Sequence, residues 1–279
     1  MLARLERSSG TADISFKLHA GKTVLGDLYQ EGCGKIRLCR KEPGLPLEAI
    51  VINTTGGFTD GDSFATNIRW QDSTCAIATT QAAERFYKTL DGKATLKTHL
   101  SIAADACGLW LPQETIMFDD AAYEKNTTVE LKSNAAMVAV ESSVFGRKAM
   151  KETVKSGSFR ETWQVRHDDR LIFADSFALA NNVDDCLAKP ALANGARAIS
   201  TVMCTGKDPA NLREAALASI ASSNGIGAAT CLGPLVVIRL LAKTSYELRQ
   251  TSGPLLEKLI GMVAIDHSQK ASLPRVWAM

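Results

Sequence analysis

Ala135-Ala-Met-Val-Ala-Val140 is the longest uninterrupted apolar run of the chain. It falls far short of the ~18 residues that would span a bilayer. A run this short fits a strand buried on both faces, which requires a covering layer on either side. Ala49-Ile-Val-Ile52 reads the same way. Around them the pattern is one of alternation: Ile14/Phe16/Leu18, Leu96/Thr98/Leu100/Ile102 and Trp163/Val165 each place apolar groups on one face of a strand. Phe159 to Phe173 reads as a hairpin turning at His167-Asp168-Asp169.

Beyond residue 206 the period changes. Asp208-Pro209 supplies a capping carboxylate and a first-turn proline ahead of Leu212, Ala215, Ala216 and Ile220, whose spacing is helical. Asn224-Gly225 ends that helix, and Leu235-Val-Val-Ile238 returns as a strand. Thr244-x-x-Glu247 is a capping-box pattern, and Pro254 is expected to break or kink the helix before Leu255, Leu256, Leu259, Ile260 and Val263. Strands followed by two or three late helices, without regular alternation, indicate a mainly β (α+β) fold.

Composition narrows the class further. Of 279 residues, 46% are hydrophobic, and 32 basic against 30 acidic side chains leave a formal charge of +2. That excludes wholesale disorder and argues against a general nucleic-acid binder. The start of the chain shows no signal-peptide core, and the seven scattered cysteines contain no CxxC, which together point to a reducing cytoplasm.

Motifs for chemistry mostly fail. Gly21-Lys22-Thr23 lacks the upstream glycine of a phosphate loop, since Phe16 stands there. Gly225-x-Gly227 follows a helix rather than a strand, and no GxSxG, HExxH or SxxK is present. The four histidines, His19, His99, His167 and His267, are far apart along the chain. Three segments stand out instead: Thr-Gly-Gly-x-x-x-Gly-Asp at 55–62, Thr-Thr-Gln-Ala-Ala-Glu-Arg-x-Tyr-Lys at 79–88, and Leu-Pro-Gln-Glu-Thr-Ile-x-Phe-Asp at 111–119. Singly, each reads as a turn or a polar interruption of a strand.

Together, in this order, they resemble the urease accessory protein D family (UreD/UreH). Glu141-x-x-x-Phe-Gly-Arg147 with Glu152, Leu235 to Ala242 and Leu273-Pro-Arg-Val-Trp277 extend the resemblance over practically the whole chain. Lys151 departs from it, standing where the family often has glycine. The motifs run without a linker, so one domain over 1–279 is expected, strand-rich at 13–205 and helix-containing at 206–265.

The resemblance implies a superhelix of many short β-strands with helices in the C-terminal third. It implies a non-enzymatic chaperone role in the cytoplasm, delivering nickel to the urease active site. The implied partners are urease accessory protein F, urease accessory protein G (a GTPase that binds the nucleotide) and the urease apoprotein, without nucleic acid or membrane. No cofactor would be permanently bound; Ni²⁺ would pass transiently through an internal tunnel.

A transit path must hold its ion weakly at several oxygens, because a tight multi-histidine site would trap it. By motif match the expected transit carboxylates are Asp62, Glu84, Glu141 and Asp175, with Thr79 and Thr80 adding hydroxyls to a polar interior. Against this stand ordinary roles: a cap or strand-tying network for Asp62 and Glu84, and a salt bridge to Arg147 for Glu141. Two other classes remain open at this point: a non-conducting scaffold between urease and the GTPase, and an enzyme with a dispersed site. The apolar faces of the helical portion, 208–263, are either partner surfaces or core.

Overall fold

Alternating residues become strands almost from the first described position. The computed structural model of the protein describes residues 7–39, 44–147, 150, 152–223, 225–267 and 270–277. Lys151 and Asn224, two positions singled out in the sequence, lie outside them. The first strands are β1 (Ser9–His19), β2 (Lys22–Gly32), β3 (Gly34–Leu38), β4 (Leu47–Asn53), β5 (Ser63–Trp70) and β6 (Cys75–Thr80). β7 (Glu84–Phe86), β8 (Ala94–Ile102), β9 (Cys107–Leu111), β10 (Thr115–Met117), β11 (Ala121–Leu131) and β12 (Ala136–Phe145) follow. The remainder is β13 (Gly157–His167), β14 (Arg170–Ala180), α1 (Val183–Ala188), β15 (Ala198–Thr205), α2 (Pro209–Ala221), β16 (Ile226–Leu232), β17 (Leu235–Ala242) and α3 (Ser245–Asp266).

The chain winds between two sheets. β5, β8, β11 and β13 lie side by side and parallel in one, while β4, β6, β9 and β12 do the same in the other. Each turn of the winding therefore adds one strand to each sheet, giving a superhelix of stacked coils. Antiparallel hairpins close the edges: β1–β2 and β13–β14 on the first sheet, β3–β4 and β15–β17–β16 on the second. Short β7 and β10 pair beside β12 at the corner between the sheets. At the β13–β14 turn Asp168 and Asp169 both take positive φ, 47° and 65°, as a tight hairpin demands.

Ala135–Val140 reads correctly. All ten residues of β12 are buried. Its Met137, Ala139 and Phe145 enter the core between the sheets, and Ala136, Val138, Val140 and Val144 enter a second core beneath the helices. The second sheet is thus the middle of three layers. Ala49–Ile52 does not follow suit: Ala49 and Val51 are buried in β4, but Ile50 and Ile52 are only half-buried. β4 lies near the sheet edge, and the core beneath α2 and α3 contains none of its residues.

The helices obey their caps. Asp208 accepts the Asn211 amide at 3.0 Å with Pro209 opening α2, and Thr244 accepts the Glu247 amide at 3.1 Å. Glu247 reaches back to the Lys243 amide at 3.0 Å, completing a box one residue wider than the usual one. Pro254 does not break the helix; α3 runs through it for 22 residues. The carbonyl it leaves unpaired, that of Gln250, belongs to a turn beside an open groove lined by Tyr246, Gly253 and Pro254, where water can serve it. Leu212, Ala216, Ile220, Leu255, Leu256, Leu259, Ile260 and Val263 all pack on the sheet, so the helical apolar faces are core.

Candidate functional site: a polar slab between the sheets

Inward-facing residues of the first sheet fall into rows, because parallel strands stack in register. Ala94, Tyr123 and Phe159 form one row. Phe64, Leu96, Lys125 and Glu161 form the next, and Thr66, Thr98, Thr127 and Trp163 the one after that. Ile68, Leu100, Val129 and Val165 follow. The corner strands match this order: Glu84, Thr115 and Ser143 are register partners, and the row beside them is Phe86, Met117 and Phe145. A slab of charged and hydroxyl groups is thereby held between an aromatic layer and an aliphatic one. From β5 to β13 it spans three strand spacings, roughly 14 Å.

The aromatic layer is continuous. Phe58 stacks on Phe86, Phe86 on Tyr123 with centroids 4.3 Å apart, and Tyr123 adjoins Phe159, which meets Phe145. The tight loops that shape this end need glycine. Gly57 sits at φ 152°, where a Cβ would fall 2.4 Å from the Tyr87 ring, and Gly146 at φ 84°, where it would fall 2.6 Å from the Glu152 carbonyl. Both belong to the motifs at 55–62 and 141–147.

Glu141 is the centre of the slab. Its Oε1 accepts Thr127 Oγ1 at 2.7 Å and pairs with Lys125 Nζ at 3.2 Å. Its Oε2, fully buried, has no partner. Burial pushes the Glu141 carboxyl above the ordinary range, outweighing the Lys125 ammonium that pulls it down; the Glu161 charge adds to the rise. Glu84 behaves alike: burial raises it against the Asn53 amide, 3.3 Å away, and the Lys125 charge. Lys125 therefore acts on both carboxylates. Ser143 donates to Glu161 at 2.6 Å, and the Tyr123 hydroxyl donates to the same oxygen. Burial first, then Glu161, holds the Tyr123 phenol well above its usual range.

The expected site residues separate accordingly. Glu84 and Glu141 share the slab. Thr80 borders it by strand parity, its hydroxyl accepting the Gln113 amide at 2.8 Å. Thr79 faces the helical side and donates to the Leu111 carbonyl at 2.5 Å. Asp62 is buried, but both oxygens are engaged, by the Ser8 and Thr59 amides at 2.8 Å each. Asp175 continues the threonine row opposite Trp163 and ends it at the rim, paired with Arg239 at 2.6 Å. The Glu141–Arg147 salt bridge does not form. Arg147 pairs with Glu152 at 2.7 Å and lies over the Phe118 ring, while Glu141 points inward to Lys125.

Lys125, Thr127, Ser143 and Glu161 escaped the sequence reading. Their signal was parity: in Ala121–Leu131 every second residue is buried, and Lys125 and Thr127 occupy buried positions. Glu114, singled out in the third motif, is held by both oxygens to Arg249 of α3 at 3.0 and 2.7 Å, and its carbonyl accepts the Glu84 amide. The fold also gathers His167 and His267 with Asp105, Asp168 and Asp266 around a cavity of about 730 Å³ at the turn end of the coils. Among the described residues no three metal-ligating side chains converge on one point, and no helix is long and apolar enough to cross a membrane.

Fold and slab define a class: a β-superhelix with an acidic, hydroxyl-lined interior and a helical layer on its outer face. Residues 8–278 match the family described as UreD urease accessory protein. The chain is 39% identical over 280 residues to Urease accessory protein UreD 1 of Brucella abortus biovar 1 (strain 9-941), covering 99% of this chain and 95% of that relative. It is equally similar to Urease accessory protein UreD of Brucella suis (strain ATCC 23445 / NCTC 10510), with 99% and 96% covered. Urease accessory protein UreD of Chelativorans sp. (strain BNC1) is 37% identical over 281 residues, with 99% and 96% covered. The chain belongs to the UreD urease accessory protein family, and membership supports a role in urease maturation.

Proposed function

We propose that this chain is a non-catalytic chaperone of urease activation that passes nickel through its polar slab toward the urease active site. It acts in the cytoplasm, in a complex with accessory proteins F and G and the urease apoprotein, with G spending the GTP. The observation that carries the reading is the Glu141 carboxylate: buried, accepting the Thr127 hydroxyl at one oxygen, with the other open. A buried polar atom without a partner is costly and rare, so it marks a place where a further group is received. The surrounding donors are oxygens, which bind Ni²⁺ less firmly than imidazole or thiolate and suit an ion that must leave again.

Glu84, Thr115, Ser143, Thr127, Thr98 and Thr66 would supply the steps on either side, and Asp175 one mouth. Asp62 serves this route only indirectly, by holding the 56–62 loop. The test is to co-purify urease with its accessory proteins and measure nickel on the bound urease. Glu141→Gln is expected to lower that nickel several-fold with the complex intact; undiminished nickel would refute the route. Loss of the complex itself would assign Glu141 to folding instead.

A further inference from the structure

Lys125 is a cation already in the slab. Its side chain is 10% exposed and that of Glu141 only 3%, so the ammonium is paired inside the protein rather than at its surface. Burying such a pair is seldom a gain in stability; well-packed apolar side chains of the same volume commonly do as well or better. The ammonium nevertheless stands among carboxylates: Glu141 at 3.2 Å, Glu161 as the register partner of Lys125 on β13, and Glu84, which feels its charge. It holds one oxygen of Glu141 and leaves the other open. The four-carbon stem of a lysine lets the charge move between neighbouring acceptors, which a planar guanidinium does less readily.

We infer that Lys125 is the resident counter-ion of the slab, which a divalent cation must displace to bind and which returns when the cation leaves. This rests on the reading of the slab as the route of the ion. A divalent ion competes with a single positive charge for the same carboxylate and wins by its second charge. The displaced ammonium stays tethered within reach, so departure of the ion leaves no bare buried carboxylate behind. Lys125 thus weakens binding at Glu141 and keeps the site from becoming a trap, the balance of entry and exit that conduction needs. It also sets specificity: monovalent ions gain nothing by replacing a monovalent ammonium that is already in place.

The experiment is Ni²⁺ binding by the full chain, by equilibrium dialysis with nickel chloride, for wild type, Lys125→Gln, Lys125→Arg, Glu141→Gln and the double Lys125→Gln/Glu141→Gln variant. Lys125→Gln is expected to tighten binding by about tenfold or more, since a decade corresponds to only ~1.4 kcal/mol and two unit charges at such a distance exchange more than that inside a protein. The double variant should lose the gain. If Lys125→Gln does not fold, Lys125→Arg decides: the bidentate guanidinium should weaken binding, and unchanged or tighter binding overturns the inference. Lys125→Gln binding at the wild-type level, with Glu141→Gln weakened, also overturns the inference while sparing the route. Binding that is indifferent to Glu141→Gln overturns the route itself.

Discussion

Removing the Lys125 ammonium while leaving Glu141 in place strands a carboxylate whose side chain is 3% exposed. Lys125→Met keeps the volume of the stem, so the cost is electrostatic rather than a cavity. Breaking one side of a buried pair costs about 3–5 kcal/mol. Here the lower end applies, because Thr127 still donates to Oε1 and the raised carboxyl can take up a proton. Glu141→Gln leaves the ammonium with Glu84 within its field, and the cost is smaller. The double variant restores charge balance and keeps the Thr127 bond, so it should be more stable than the sum of the two, with a coupling of about 2 kcal/mol. Urea unfolding of the four proteins at pH 7, read as midpoint shifts at constant slope, measures this. Lowering the pH toward 5 should shrink the Lys125→Met penalty, since protonation relieves the stranded charge. Additive single variants, or a Lys125→Met cost below about 1 kcal/mol, would refute a buried, ionic centre.

Other expectations concern the frame of the slab. Thr244→Ala removes the acceptor of the Glu247 amide at the start of α3 and should cost about 1 kcal/mol, seen as a lower urea midpoint. Arg249→Met frees Glu114, Gln113 and the Trp277 carbonyl at once and should destabilise by about 3 kcal/mol; a neutral variant would show that α3 does not brace the motif at 111–119. Burial pushes the Cys204 thiol up to about 12, well above the ordinary thiol range. An acid raised on folding stabilises fully below its unfolded value and loses that contribution as pH climbs toward the folded one. Between pH 9 and 10 the wild type should therefore lose stability faster than Cys204→Ala, approaching ~1.4 kcal/mol per unit for this group; parallel pH profiles would contradict it.

The β/helix division was legible because it rests on local periodicity. Alternation, the capped starts at Asp208 and Thr244 and the hairpin at Asp168-Asp169 all needed only near neighbours. Burial on both faces was legible at Ala135–Val140 and misread at Ala49–Ile52, since whether a helix covers a strand depends on a layer far off in sequence. Pro254 does not end the helix, since the lost hydrogen bond is tolerable where the freed carbonyl meets a groove.

The slab itself was half legible. Glu84 and Glu141 were picked out by their motifs, but their neighbours come from register across β7, β10, β11, β12 and β13, which no single segment encodes. Lys125 drew no notice in the sequence, and only its place in the alternation of β11 puts it inside. Arg147 has the parity of Glu141, but β12 ends at Phe145 and the chain turns at Gly146 with φ 84°, so Arg147 meets Glu152 instead.

The most direct test of the slab as the route of nickel is anomalous scattering at the nickel edge from crystals of the chain equilibrated with millimolar Ni²⁺. The expected result is a peak beside the open oxygen of Glu141, in the slab next to Thr127. Nickel found at the His167–His267 cavity or elsewhere on the surface, with none between the sheets, would contradict it.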